Sequence, residues 1–158
     1  MNQKILIKRN ELQQQVNLRN YYIGESAKRK DADADTLQSS TDDQELFVMF
    51  TKKALNELIT AVALRFTSIS SHIDNEYIEI TFDTSDNSRN HLLPMLKQSI
   101  TDYLANELML QWLQLHYPAM AQPYYVLRPN LYNNVQHMLA KFYNNKTIRR
   151  RATDLAGI

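Results

Sequence analysis

The sequence predicts a mainly α fold: a four-helix bundle-like domain at residues 1–145 with a small two-stranded β element, followed by an extended basic C-terminal tail at 146–158. Apolar side chains recur at the helical period over most of the chain, while residues 76–83 alternate with the period of a strand. Glycine occurs only twice in 158 residues, which disfavours a turn-rich β architecture. Hydrophobic residues at 44% and charged residues at 22% are typical of one globular domain.

Composition excludes several classes of function. The two glycines, Gly24 and Gly157, lie in no phosphate-binding loop, nucleophile elbow or dinucleotide motif, all of which need glycine where the backbone approaches a ligand. The absence of cysteine excludes disulfides, thiolate chemistry and cysteine-type zinc sites. A net charge of +1 provides no global field for nucleic acid or membranes. Because no apolar run approaches the ~18 residues that span a bilayer, we expect no membrane partner.

The N-terminal region is predicted to form a strand and then a helix. The apolar run at 4–8 is flanked by lysines and favours a short strand. Asn10 then caps a helix over residues 10–28, with Gln13 as its capping-box partner.

Residues 25–45 are rich in acids, serine and threonine, and they predict a solvated loop. Asp31, Asp33 and Asp35 alternate, which raises calcium binding as an alternative. The central glycine of an EF-hand loop is missing, so the solvated loop is favoured.

The middle of the chain predicts a long helix and a strand. Thr41 starts a helix that continues over 42–69, since it is followed by acids and then by apolar residues at helical spacing. Residues 76–83 alternate strictly and predict a half-buried strand. Its ladder needs a partner, for which residues 4–8 of the same chain are favoured over a strand from a neighbouring subunit.

Two further helices are predicted. The third runs from Asn90 to Tyr117, and its apolar residues cover more than one face, so it is either central or in contact with a second partner. Three prolines in 118–129 leave room for a short helix at most. Asn130 then caps the fourth helix.

No catalytic residue, cofactor or metal site is predicted, and an enzyme is not expected. The four histidines, none in a recognised ligand spacing, read as solvated groups: His72, His91, His116 and His137. The nine tyrosines have few basic neighbours, so core and subunit-interface roles are favoured over stacking on nucleic-acid bases.

The C-terminal tail contains the candidate partner-docking residues. Three arginines stand among scattered apolar residues, and the set is Ile148, Arg149, Arg150, Arg151, Leu155 and Ile158. The arginines suit either an acidic groove of a protein or the phosphates of nucleic acid. Because the rest of the chain is nearly neutral, docking on a protein is favoured.

Four stretches carry a resemblance: Arg9-Asn-Glu-Leu-Gln13, Thr41-Asp-Asp-Gln-Glu-Leu-Phe47, Trp112-Leu-Gln-Leu-His-Tyr-Pro118 and Lys141-Phe-Tyr-Asn-Asn-Lys-Thr-Ile-Arg-Arg150. In this order they resemble uncharacterised small proteins of prophages and tailed phages of gut bacteria. Those proteins commonly end in a Leu-Tyr-x-Arg-Lys-x-Pro-x-Arg-like stretch. Phe142-Tyr143 and Arg149 match it loosely, and the expected proline is replaced by Ile148 or absent.

The architecture is also similar to head–tail connector (neck or portal-adaptor) proteins, which are small helical subunits with a strand element and an extended arm. The resemblance implies a structural virion protein, assembled in the bacterial host cytoplasm into a homo-oligomeric ring. Its arm would bind the portal or a neighbouring neck or tail protein, and the ring lumen would surround packaged DNA without sequence specificity. The alternative is a nucleic-acid-associated accessory or regulatory protein that uses Arg149–Arg151.

Overall fold

The computed structural model describes residues 2–28, 44–66, 68–83 and 89–142. The main elements in chain order are β1 (Asn2–Lys8), α1 (Arg9–Lys28), α2 (Gln44–Val62), β2 (Ile69–Ile73), β3 (Tyr77–Asp83), α3 (Leu93–His116) and α4 (Gln122–Phe142). Short 3-10 turns follow α2 and precede α3 and α4. The predicted mainly α fold is confirmed. Most of the predicted 25–45 loop, including Asp31, Asp33 and Asp35, lies outside the described residues.

The three strands form one antiparallel sheet in the order β1-β3-β2. Ile5 lies opposite Ile80, so the predicted pairing of the N-terminal strand with 76–83 is confirmed within the chain. Asp74 closes the hairpin between β2 and β3, because its Oδ1 accepts hydrogen bonds from the Glu76 and Tyr77 amides at 2.7 and 2.6 Å. Those two bonds, first that from Tyr77, lower the pKa of Asp74.

The prediction of two strands was wrong, because β2 forms the far edge of the sheet. The predicted second helix, 42–69, includes Ile69, and residues 70–73 were assigned to no element. The helix instead ends at Val62, and a 3-10 turn at Ala63–Arg65 leads out of it. Five residues with two isoleucines provide too short a pattern to separate the period of a strand from that of a helix.

Helix α3 is the centre of the domain. Every residue from Tyr103 to Leu113 is buried. The principal helix-to-helix contacts pair α3 with α1, α2 and α4, and β1 also packs on it. Most of the apolar excess of this helix is therefore satisfied within the chain, and Met95 and Leu115 near its two ends stay exposed. A hub helix beside a sheet differs from a four-helix bundle, so the predicted bundle is not confirmed.

Helix α4 starts earlier than predicted. It begins at Gln122 and continues through Pro129, whereas the sequence predicted a start at Asn130. A proline removes the hydrogen bond to the carbonyl four residues before it, which here belongs to Tyr125. The turn at residues 125–127 is exposed, so water is available to that carbonyl.

The core lies between the inner face of the sheet and the helices. Ile78, Ile80 and Phe82 point inward from β3, and each is at most 3% exposed. The Phe82 ring packs edge-on against Phe66 at 5.2 Å and Phe142 at 5.9 Å between centroids. An apolar cavity of about 20 Å³ remains between the sheet and α2 to α4. Among the described residues, no helix combines the length and apolarity needed to cross a membrane.

Candidate functional site

The predicted docking residues of the tail, Ile148, Arg149, Arg150, Arg151, Leu155 and Ile158, lie outside the described residues. Their proposed role in binding a partner stays a prediction.

The histidines lie on four separate elements. His72 is on β2, His91 is in the 3-10 turn before α3, His116 ends α3 and His137 is on α4, and all four are exposed. The His116 ring stacks on Trp112 with 4.2 Å between centroids. Within the described ranges, no three metal-ligating side chains converge.

The structure brings together a polar cluster where α2, α3 and α4 meet. Glu107 of α3 is 2% exposed, and its Oε1 lies 2.7 Å from Arg128 Nε of α4. Arg128 Nη2 also lies 3.3 Å from Glu57 Oε2 of α2. One guanidinium thus links carboxylates from two other helices.

The cluster shifts the pKa values of its members. Burial raises the pKa of Glu107, and the charge of Arg128 opposes that rise. Burial would lower the pKa of Arg128, but Glu107, Tyr103 and Glu57 together raise it. Burial, aided by the Glu107 charge, raises the pKa of Tyr103 from 10.0 to about 12. Arg128 therefore stays charged, and the Tyr103 hydroxyl keeps its proton at any physiological pH.

A cavity of about 160 Å³ adjoins the cluster. Its lining is mostly polar and consists of Lys53, Glu57, Glu107, Leu110, Gln111, Gln114, Tyr125 and Arg128. Besides the ion-paired Glu57, Glu107 and Arg128, two lining side chains donate hydrogen bonds within the protein. Gln111 Nε2 donates to the Phe50 carbonyl at 3.4 Å, and Gln114 Nε2 donates to the Tyr125 hydroxyl.

A carboxyl group with a raised pKa beside a cavity can act as a general acid in catalysis. Ion pairs with a purely structural role can shift a pKa as well. Here Arg128 already neutralises Glu107, and among the described residues that line the cavity the Tyr125 phenol is the only hydroxyl, thiol or imidazole group. We therefore interpret the cluster as a polar link that holds α2, α3 and α4 in register.

The N-terminal half of α4 presents a second feature, the apolar turn Tyr125–Leu127. Tyr125, Val126 and Leu127 are 39%, 63% and 47% exposed. The buried residues of α4 begin only at Val135. Three consecutive residues cover about 200° around a helix, so this turn projects from the surface instead of hiding one side in the core. Contiguous exposed apolar side chains mark interaction surfaces.

Sequence reasoning missed both features. Glu107 and Arg128 are 21 positions apart, and nothing in their spacing predicts that they meet. The three prolines of 118–129 predicted a short helix at most, so the Tyr-Tyr-Val-Leu run was not assigned to the long helix that contains it. That run, in a segment with few acids or lysines, was the signal that could have indicated an exposed apolar surface.

The chain matches no protein-family model, and neither curated proteins nor solved structures show significant similarity to it.

Proposed function

We propose that the chain is a structural subunit of a tailed-phage virion, a head–tail connector that forms a homo-oligomeric ring and docks on the portal or a neighbouring neck or tail protein. The observation that carries the proposal is the apolar turn Tyr125–Leu127, which is exposed in the N-terminal half of α4. The order of elements that resembles connector proteins agrees with it.

The energetics favour a covered surface. Burial of apolar area is worth about 25 cal/mol per Å², so three large side chains left in water forgo a few kcal/mol that a neighbouring subunit would recover. Tyrosine at the edge of such a surface is well suited to an interface, because its ring buries area while its hydroxyl stays hydrated. In a ring, each copy would present this turn to a different surface of the next copy.

The polar cluster also fits a structural role. Its arginine is engaged by two carboxylates, and the cluster joins three helices. A subunit in a virion neck must keep its shape under load, and a cross-link between helices serves that need.

The test is to delete the gene from the phage or prophage that encodes the chain and to supply the chain in trans. We expect filled heads without tails when the gene is deleted, and the chain itself in purified virions when it is supplied. Electron microscopy and mass spectrometry of gradient-purified particles would measure both. Normal tailed particles from the deletion, or virions that lack the chain, would contradict the proposal.

The tail is tested separately. Deleting residues 146–158 should leave the far-ultraviolet circular dichroism and the melting temperature unchanged, but it should abolish incorporation into virions. Unfolding of the truncated chain would instead show that the tail belongs to the core. The triple variant Arg149→Ala, Arg150→Ala and Arg151→Ala tests the alternative function. If it removes a salt-sensitive affinity for DNA, the result favours the nucleic-acid-associated protein over the connector.

A further inference from the structure

The hydrogen bonds of the hairpin determine which backbone groups of β2 face outward. The Asp74 amide donates to the Tyr77 carbonyl at 3.0 Å, and the Asp83 amide donates to the Ser68 carbonyl at 3.2 Å. Hydrogen-bonded pairs alternate along an antiparallel ladder, so the residues of β2 that bond to β3 are Ser70 and His72. The remaining three, at positions 69, 71 and 73, direct their backbone N–H and C=O groups to the outer edge of the sheet.

The opposite edge, on β1, differs in its side chains. The Arg9 amide donates to the Glu76 carbonyl at 2.9 Å, and the same alternation turns the backbone of Lys4, Leu6 and Lys8 outward. Lysines on an edge strand oppose pairing with another chain. Strand β2 has the sequence Ile-Ser-Ser-His-Ile and contains neither lysine nor proline. In the described part of the chain, no strand lies beside its outer edge.

We infer that the outer edge of β2 pairs with the same edge of a second copy, antiparallel, about a two-fold axis at Ser71. In this register Ser71 of one copy faces Ser71 of the other, and Ile69 of each copy faces Ile73 of the other. The three outward-facing residues of each copy meet as hydrogen-bonded pairs, giving about six backbone hydrogen bonds. Two three-stranded sheets thereby become one sheet of six strands.

The sequence of β2 favours a second copy over an unrelated strand. Ile69 and Ile73 stand at equal distances from Ser71, so reversing the strand places isoleucine opposite isoleucine. Both isoleucines are half-buried, point to the core face and pack against the core. Cross-strand pairs of β-branched residues stabilise a sheet, so the paired copies would extend the apolar face across the axis.

The inference does not rest on the connector proposal. A two-fold contact closes on itself, whereas a ring needs a head-to-tail contact. The β2 edge and the apolar turn Tyr125–Leu127 lie on different elements. A substitution at one should therefore leave the other contact intact, and the two proposals can fail separately.

The first experiment compares the mass of the full chain with that of two proline variants by light scattering after size-exclusion chromatography. We expect the purified wild-type chain, without the portal or tail protein on which a ring would assemble, to have twice its 18.5 kDa mass at high micromolar concentration. Ser71→Pro removes an outward N–H without touching the bonds to β3, and it should give the monomer mass. Leu6→Pro makes the matching change on the β1 edge and should leave the dimer intact.

The second experiment uses cysteine and does not depend on tolerance of proline. The chain has no cysteine, so Ser71→Cys introduces a single thiol. The two-fold register puts the two copies of position 71 about 5.5 Å apart between Cα atoms, within reach of a disulfide. Copper phenanthroline, as the oxidant, should convert most of Ser71→Cys to a covalent dimer on a non-reducing gel.

Ser70→Cys is the matched control for cross-linking. In the same register the two copies of position 70 are about 8 Å apart, beyond the reach of a disulfide. Equal cross-linking of the two variants, or a wild-type chain that stays monomeric at high micromolar concentration, would overturn the inference. A dimer lost with Leu6→Pro but kept with Ser71→Pro would overturn it as well, because it would assign the contact to the β1 edge.

Discussion

The two halves of α4 pack against the same helix, α3, in opposite ways. Residues 131–142 bury four apolar side chains: Val135, Met138, Leu139 and Phe142. Residues 122–130 bury none of theirs; there, Arg128 makes an ion pair and the turn 125–127 is exposed. A helix can thus serve stability at one end and remain available for binding at the other. We expect substitutions in the two halves to differ accordingly.

The facing surface of α3 explains the difference. Opposite the N-terminal half of α4, α3 presents Asn106 and Glu107, and Asn106 Nδ2 donates to the Tyr124 carbonyl at 3.1 Å. Opposite the C-terminal half, the core is closed by apolar residues of α3 and by Phe82 of β3. A buried carboxylate requires a cation within reach, so the first half of α4 contributes Arg128 where the second half contributes hydrocarbon.

The largest effect on stability is expected for Phe142→Ala. The Phe142 side chain is fully buried and packs edge-on against Phe82. Truncation removes its transfer free energy and leaves a cavity, so the free energy of unfolding should fall by about 3–5 kcal/mol. Urea denaturation measures the change. Leu127→Ala in the other half of α4 is the control and should change it by less than about 0.5 kcal/mol. Similar losses from both variants would remove the distinction between the halves.

The next effect concerns Tyr103, whose ring lies 6.4 Å from that of Tyr132 in α4. Its pKa is raised from 10.0 to about 12 in the folded chain. Between these values the unfolded chain loses the proton first, so stability that is fully present below pH 10 is lost as pH rises. The wild-type chain should lose about 2 kcal/mol more than Tyr103→Phe between pH 10 and 12.

Urea denaturation of the two chains at matched pH values measures this difference. Parallel curves for the wild type and Tyr103→Phe would show that the Tyr103 hydroxyl is hydrated. The polar contact between α3 and the N-terminal half of α4 would then be more open to water than the structure indicates.

A smaller effect is expected for Glu107→Gln. Burial raises the pKa of Glu107 above 4.5, so the folded chain holds this proton more tightly than the unfolded chain. The resulting contribution to stability is fully present below pH 4.5 and is lost as pH rises through the folded pKa. Relative to Glu107→Gln, the wild-type chain should therefore lose stability as the pH rises above 4.5. At neutral pH the free energy of unfolding of the wild-type chain should be lower than that of Glu107→Gln by about 1 kcal/mol. The amide needs no buried charge and keeps a contact with Arg128.

A titration of unfolding free energy from pH 4 to 7 follows this difference. Asp102→Asn is a suitable control, since Asp102 is a carboxylate on α3 outside the cluster. A wild-type chain that gains stability relative to Glu107→Gln as the pH rises would contradict burial as the dominant cause.

The sequence predicted the parts of the fold that repeat a period over many residues. The second and third helices and the pairing of β1 with β3 depend on such patterns, and all are present. Apolar residues on more than one face of α3 predicted either a central helix or a contact with a second partner, and the structure has the central helix. Strand β2 was missed because it is five residues long, and the start of α4 was missed because Pro129 was expected to end any helix before it.

The polar cluster could not be predicted from local patterns. Glu107 stands in an apolar helix, where a glutamate normally indicates the solvent side, and its burial depends on how α3 and α4 cross. The apolar turn was missed for another reason, since the three prolines of 118–129 predicted a short helix at most. In both places tertiary packing reversed what the residue type suggested. These are the positions where a function is most readily sought.

The smallest effect on stability, and the most informative about binding, is expected for Val126→Asp. Val126 is 63% exposed, so an aspartate there should change the free energy of unfolding by no more than about 0.5 kcal/mol. In the proposed ring the same charge would be buried against a neighbour, and incorporation into virions should be lost. Met95→Asp is the matched control, because Met95 is 55% exposed and lies at the N-terminal end of α3, on a different helix from the apolar turn. If both variants enter virions normally, the apolar turn is not the contact between subunits. If Val126→Asp lowers the melting temperature by several degrees, the turn belongs to the core. The two halves of α4 would then not differ at that residue.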